Sequence, residues 1–244
     1  MSALDNYYDV CLDQLQKVRA TQWEKVQLAG EWLAEALVND HWLYAFGTGH
    51  SHMLAAELFY RAGGLARAVP MLDENLMLHH KAIEATYIER REGYAAGLLE
   101  HYPMERGDML IIASNSGRNA VPTELALLAR ERGVKTVALT NLAHSLAWPP
   151  RHSSGKRLAD AAELVIDNCG VNGDAAVEVD GLAGKIGPTS TLTGALIVNG
   201  IVAHGIELAL KRGCVPEIYI SSNSNGDAHN DRLLRKYQSR IRHL

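Results

Sequence analysis

The chain has 244 residues, 47% of them hydrophobic and 21% charged, with 24 Lys and Arg against 28 Asp and Glu for a net charge of −4. A chain of this length buries about 70–75% of its unfolded surface, and its composition excludes a disordered, fibrous or disulfide-stapled protein. The acidic balance, with no basic block beyond Arg90-Arg91 or Lys156-Arg157, argues against non-specific nucleic-acid binding.

Leu4, Tyr7, Tyr8, Cys11, Leu12, Leu15 and Val18 recur at helical spacing. A second set, Trp23, Val26, Leu28, Trp32, Leu33, Ala36 and Leu37, follows Thr21, a candidate N-cap. Residues 1–40 are therefore expected to form a helical hairpin packed on the core or on a partner subunit, and residues 41–244 a single α/β domain. Apolar runs at 42–46, 66–72, 109–113, 136–139 and 164–167 predict five strands. Helices are expected at 51–62, 92–101, 120–132, 190–211 and 230–240. Strands alternating with helices predict a doubly wound five-stranded parallel sheet flanked by helices. The stretches 73–91 and 148–159 lack a period and read as long loops, the first carrying Glu74, His79, His80 and Glu89.

Cysteines at 11, 169 and 214 match no metal or redox spacing and read as small buried hydrophobes in a reducing compartment. The N-terminal residues carry Asp5 and Asp9 where a secretory leader needs basic residues and an apolar run. The longest apolar stretch, 194–210, is interrupted by Asn199, His204 and Glu207. A cytoplasmic protein with no membrane partner is expected.

The chemistry concentrates in turns between strands and helices. The first strand runs into Gly47-Thr48-Gly49-His50-Ser51 and then a helix, a place where glycines admit a ligand and helix amides attract an anion. A dinucleotide fingerprint would need a third glycine where His52 stands. The third strand runs into Ser114-Asn115-Ser116-Gly117-Arg118-Asn119, whose hydroxyls and amides suit a phosphate without a lysine. Both loops are expected beyond the carboxyl ends of neighbouring strands, where open sheets bind ligands. A zinc reading of His50, His52, His79, His80 and Glu74 lacks the i, i+4 pair of helical zinc sites. There is no G-x-S-x-G elbow and no P-loop motif, and no cofactor is expected.

These two loops, with Gly187-Pro188-Thr189-Ser190-Thr191 opening a long apolar helix, resemble the sugar isomerase (SIS) domain family over roughly residues 40–215. Within that family the chain is most similar to an uncharacterised bacterial branch grouped with the phosphoheptose isomerases. The resemblance implies a flavodoxin-like five-stranded sheet. It also implies a phosphate pocket built from Gly47, Thr48, Gly49, Ser51, Ser114, Asn115, Ser116, Gly117 and Asn119, with Thr189 and Ser190 on the phosphate or the sugar. It implies aldose–ketose isomerisation of a sugar phosphate, with Glu57 as base, Glu74 in reserve, and His229 in preference to His204 as the acid. A non-catalytic phosphosugar sensor, or an etherase or deaminase on the same scaffold, is the alternative. The apolar surplus of the hairpin and the long helix predicts a homo-oligomer, a dimer or tetramer.

Overall fold

The runs at β1 (Leu43–Gly47) and β3 (Met109–Ala113) are buried at every position, as strands covered on both faces must be. In the computed structural model, which describes residues 2–244, they lie side by side in a five-stranded parallel sheet. The order is β2-β1-β3-β4-β5, completed by β2 (Ala68–Met71), β4 (Lys135–Thr140) and β5 (Leu164–Asp167). Gly47 pairs with Ala113 and Ala113 with Leu139, so the loops that follow β1, β3 and β4 leave the sheet at one level. The five strands and their parallel arrangement agree with the sequence reading.

Alternate side chains of β1 build two cores. Leu43 and Ala45 pack with α1 (Ala3–Thr21), α2 (Trp23–Val38), α3 (His52–Glu57) and α9 (Ser190–Lys211) through Val18, Leu33, Leu54 and Ile201. Tyr44 and Phe46 pack on the other face with α5 (Tyr94–His101), α6 (Ala120–Glu131), α8 (Leu158–Ala161) and α10 (Asp227–Tyr237) through Leu98, Leu125, Leu158 and Leu233. The helix after β1 thus covers one face and the helix after β3 the other. The crevice between those strands is the topological switch point at which such sheets open a cleft. By length and composition α9 is apolar enough to span a bilayer, yet Ile197, Val198, Ile201 and Val202 are buried in the first core.

Several local expectations differ. Thr21 is the last residue of α1 and its hydroxyl donates to the Lys17 carbonyl at 2.8 Å, because α1 and α2 meet at Gln22 in a helical conformation that needs no cap. The start of α1 is capped instead by a Ser2–Asp5 box. Tyr60 adopts φ +43°, and α3 stops at Glu57 rather than reaching 62. The stretch 73–91 contains a helix, α4 (Leu78–Ile88), whose period is broken by extended backbone at Lys81. A short hairpin of β6 (Ala175–Val177) and β7 (Ile186–Pro188) was not foreseen, and α10 begins three residues early, at Asp227.

Candidate functional site

Each loop at the switch point is shaped by a glycine that no other residue could replace. A Cβ on Gly47 would strike the Ser51 carbonyl, and the turn is closed by the Ser51 amide donating to the Thr48 carbonyl at 3.0 Å. Gly117 has φ +57°, and a Cβ there would lie 2.7 Å from Thr140 Oγ1. The second loop is stitched to its neighbours. The Gly117 amide donates to Ser114 Oγ, the Asn141 amide to the Asn115 carbonyl, and Asn168 Nδ2 to Asn115 Oδ1 at 2.8 Å. The hydroxyls of Ser51 and Ser116, both half-buried, are not used by any of these bonds. They remain free to donate to a ligand.

Between the loops stands Glu89, carried one residue past the end of α4. Its carbonyl accepts the Val121 amide at 3.1 Å, which fixes it to the first turn of α6. One carboxylate oxygen accepts the Thr48 hydroxyl at 2.6 Å and the other accepts Asn119 Nδ2. Burial raises its pKa above the ordinary glutamate value; the Thr48 hydroxyl and the charges of Arg90 and Arg151 offset part of that rise. A carboxylate that holds its proton more tightly, spanning two ligand-ready loops at a switch point, is chemically a general base. Sequence reasoning had it only as one residue of an unpatterned connection. Its partners lie 41 and 30 residues away, so no local signal points to it.

The other expected site residues fall in different places. Asn119 is buried with both ends of its amide engaged, Nδ2 by Glu89 and Oδ1 by Arg151 Nη1 at 2.9 Å, so its side chain is turned to hold Glu89 and Arg151. The amides of Thr189 and Ser190 and the Ser190 hydroxyl all donate to Asp174, while Thr189 Oγ1 is buried without a partner. Glu57 pairs with Arg61 and accepts Asn199 Nδ2 at 2.7 Å. Asn199 is nine residues into α9, roughly 14 Å along it and away from the loops. His204 is further down the same helix, its ring against Gly30 of α2 and its Nδ1 3.8 Å from Glu207. His229 Nε2 lies 2.9 Å from the Ile218 carbonyl, on the segment that bridges to Leu65 ahead of β2, at the amino end of the sheet. Glu74 is exposed and lines a cavity of about 360 Å³ with Asp73, Tyr102 and His243. His52 and His79 face each other with ring centroids 5.6 Å apart. The His–carboxylate triplets that converge among the described residues lie elsewhere, at His41, Glu105 and Asp108 and at Glu92, Glu124 and His152.

Comparison with known proteins places this geometry. The chain is 42% identical over 239 residues to a UPF0309 protein of Listeria monocytogenes, covering 98% of this chain and 97% of its relative. Its fold is shared with a phosphoheptose isomerase from Francisella tularensis at 16% identity and TM-score 0.54, over 85% of this chain and 100% of that one. It is also shared with the Vibrio vulnificus NanR protein complexed with ManNAc-6P, at 18% identity and TM-score 0.50, over 96% of this chain and 69% of that one. The family model of the SIS domain matches residues 6–141, a span that contains both loops and Glu89, and the chain belongs to the SIS domain family.

Proposed function

We propose that the protein binds a sugar phosphate at the switch point and interconverts its aldose and ketose forms, with Glu89 as the proton-transfer base. The half-buried Glu89 carboxylate, held between Thr48 and Asn119, carries the reading. The phosphate is received by the free hydroxyls of Ser51 and Ser116, by Ser114 and by loop amides. Glu89 takes the proton from the carbon beside the carbonyl, the C–H electron pair forms the enediol double bond, and the carbonyl oxygen takes a proton from solvent. The Glu89 carboxyl then returns its proton to the former carbonyl carbon as the adjacent hydroxyl gives its own proton to solvent and becomes the new carbonyl. In this reading Glu57, held by Arg61 and Asn199, and His229, beside the Ile218 carbonyl, take no part in that transfer.

Turnover of a panel of aldose and ketose phosphates by the wild type and by Glu89→Gln tests this. Removing a general base costs roughly 10²–10⁴-fold in kcat/KM. The variant should show that loss while binding the same sugar phosphate within about threefold. Unchanged turnover would overturn the role of Glu89. The shared fold of NanR, complexed with ManNAc-6P, supports a second reading as a non-catalytic sensor. That reading is favoured if ligands bind and none is turned over.

The protein is further proposed to be a homo-oligomer. Leu4, Tyr8 and Leu12 follow one face of α1 at 76%, 67% and 42% exposure, and a stripe of that kind is what a second copy covers. Sedimentation should give a dimer or larger at micromolar concentration; a clean monomer would refute the proposal.

A further inference from the structure

The chain is acidic overall, yet two arginines, Arg90 and Arg151, neighbour Glu89, and a third, Arg118, neighbours Arg151. Arg90 follows it directly and lies over the Tyr87 ring at 5.9 Å. Arg118 sits two residues after Ser116, its Nε donating to the Pro149 carbonyl at 2.9 Å. Arg151 is bound twice to the same loop, through its amide to the Arg118 carbonyl at 2.8 Å and through Nη1 to Asn119 Oδ1. None of the three forms an ion pair among the described residues. Glu89, whose charge acts on Arg90 and Arg151, already accepts hydrogen bonds from Thr48 and Asn119. Burial first, and then the like charges of Arg90 and Arg118, lower the pKa of Arg151, while Glu89 opposes them.

Three cations face one carboxylate, which leaves a surplus of positive charge, and hydrogen bonds to backbone carbonyls keep two of them in place. A held surplus of this kind attracts an outside anion. One phosphate is already served by the Ser51 and Ser116 hydroxyls and the loop amides, without the help of an arginine. We propose that Arg90, Arg118 and Arg151 form a second anion subsite beside the phosphate cradle, and that the sugar phosphate taken here carries a further anionic group, a carboxylate or a second phosphate. The inference rests on the phosphosugar reading of the site. The planar forks of arginine favour a group with two coplanar or tetrahedral oxygens, and they discriminate against a sugar whose remaining groups are all hydroxyls.

Calorimetric titration of the full chain with inorganic phosphate, glucose 6-phosphate, 6-phosphogluconate and fructose 1,6-bisphosphate tests this on wild type, Arg90→Gln and Arg151→Gln. A charge-assisted bidentate contact is worth about tenfold or more in Kd. 6-Phosphogluconate or fructose 1,6-bisphosphate should therefore bind at least about tenfold more tightly than glucose 6-phosphate. Whichever does so names the second group as carboxylate or phosphate. Each variant should abolish that advantage and leave glucose 6-phosphate within about threefold. Arg90→Gln guards against a folding artefact, because the Arg90 side chain makes no bond that holds the loops. If the doubly anionic ligands have no advantage, or if both variants weaken every ligand alike, the second subsite is refuted while the phosphate cradle stands. If neither phosphate nor any sugar phosphate binds, both readings fall together.

Discussion

The sheet holds a buried carboxylate at each end of the β1–β3 pair, and the two are held in opposite ways. At the amino end Asp108 is fully buried, with one oxygen accepting the Trp42 amide at 3.0 Å and the other the Glu105 amide at 2.9 Å. Nearby, Trp42 packs edge-on against Tyr237 with centroids 5.3 Å apart, closing that end with apolar surface. At the carboxyl end Glu89 is gripped by a hydroxyl and a side-chain amide, and faces arginines rather than a hydrophobic lid. Burial raises the pKa of both carboxyl groups. Backbone donors cannot turn away, so Asp108 is a fixed strut. Side-chain donors can rotate, so Glu89 can exchange its partners for a substrate proton. The contrast separates a carboxylate that holds strands from one equipped to react.

The largest expected effect sets these two residues against each other. Glu89→Gln should abolish most turnover and yet be at least as stable as the wild type at neutral pH. The sign follows from its raised pKa: the folded state favours the protonated acid, so the ionised form costs stability as pH rises above the ordinary value of 4.5. Asp108→Ala should do the reverse. It strands two part-buried amides and leaves a cavity where the fully buried carboxylate stood, a loss of about 2–4 kcal/mol that calorimetry would read as a Tm lowered by about 5–10 °C, with kcat little changed in the folded fraction. Equal stability losses in the two variants would erase the distinction.

A smaller effect sharpens the reactive end. Glu89 must be ionised to accept a proton, so kcat/KM should fall on the acid side through a pKa above 4.5. Thr48→Val removes the hydroxyl that favours the ionised form, and should move that limb to higher pH. A limb that stays put would mean that another group sets it. The smallest effect concerns the loop carrying Arg151. Its following residues are latched by the Ser153 amide and hydroxyl on Glu92, both at 2.7 Å, and by His152 3.4 Å from Glu124. Ser153→Ala should speed amide hydrogen exchange across residues 151–157 and leave β1 and β3 protected. Exchange unchanged in that loop would show that the latch does not hold it.

What could be read from the sequence was whatever neighbours in the chain determine. The fully apolar runs of β1 and β3, the glycine of each loop and the long, mostly apolar run of α9 are all local, and each was legible. The side chains whose surroundings the sequence did not foretell are those that a distant residue engages. Asn119 has the chemistry of a phosphate ligand, and only the fold reveals that Glu89 and Arg151 have taken it. Glu57 has the helix position of a base, but the early end of α3 leaves it with Arg61 and Asn199. His229 looked free in a polar turn, but the Glu217–Tyr219 segment folds back along Gly63–Ala66 and brings the Ile218 carbonyl to its ring.

One further feature bears on how ligands compete. Asp174 adopts φ +70° and lays its carboxylate across the first amides of α9. The positive end of that helix dipole is therefore neutralised from within, in a backbone conformation that aspartate tolerates better than most residues. An anion arriving at α9 would have to evict this resident carboxylate, and its apparent affinity would be lowered by the cost of the eviction. A neutral hydroxyl, by contrast, can join the Asp174 carboxylate as a donor without displacing it. The start of α9 is thereby biased toward neutral hydrogen-bond donors and against anions.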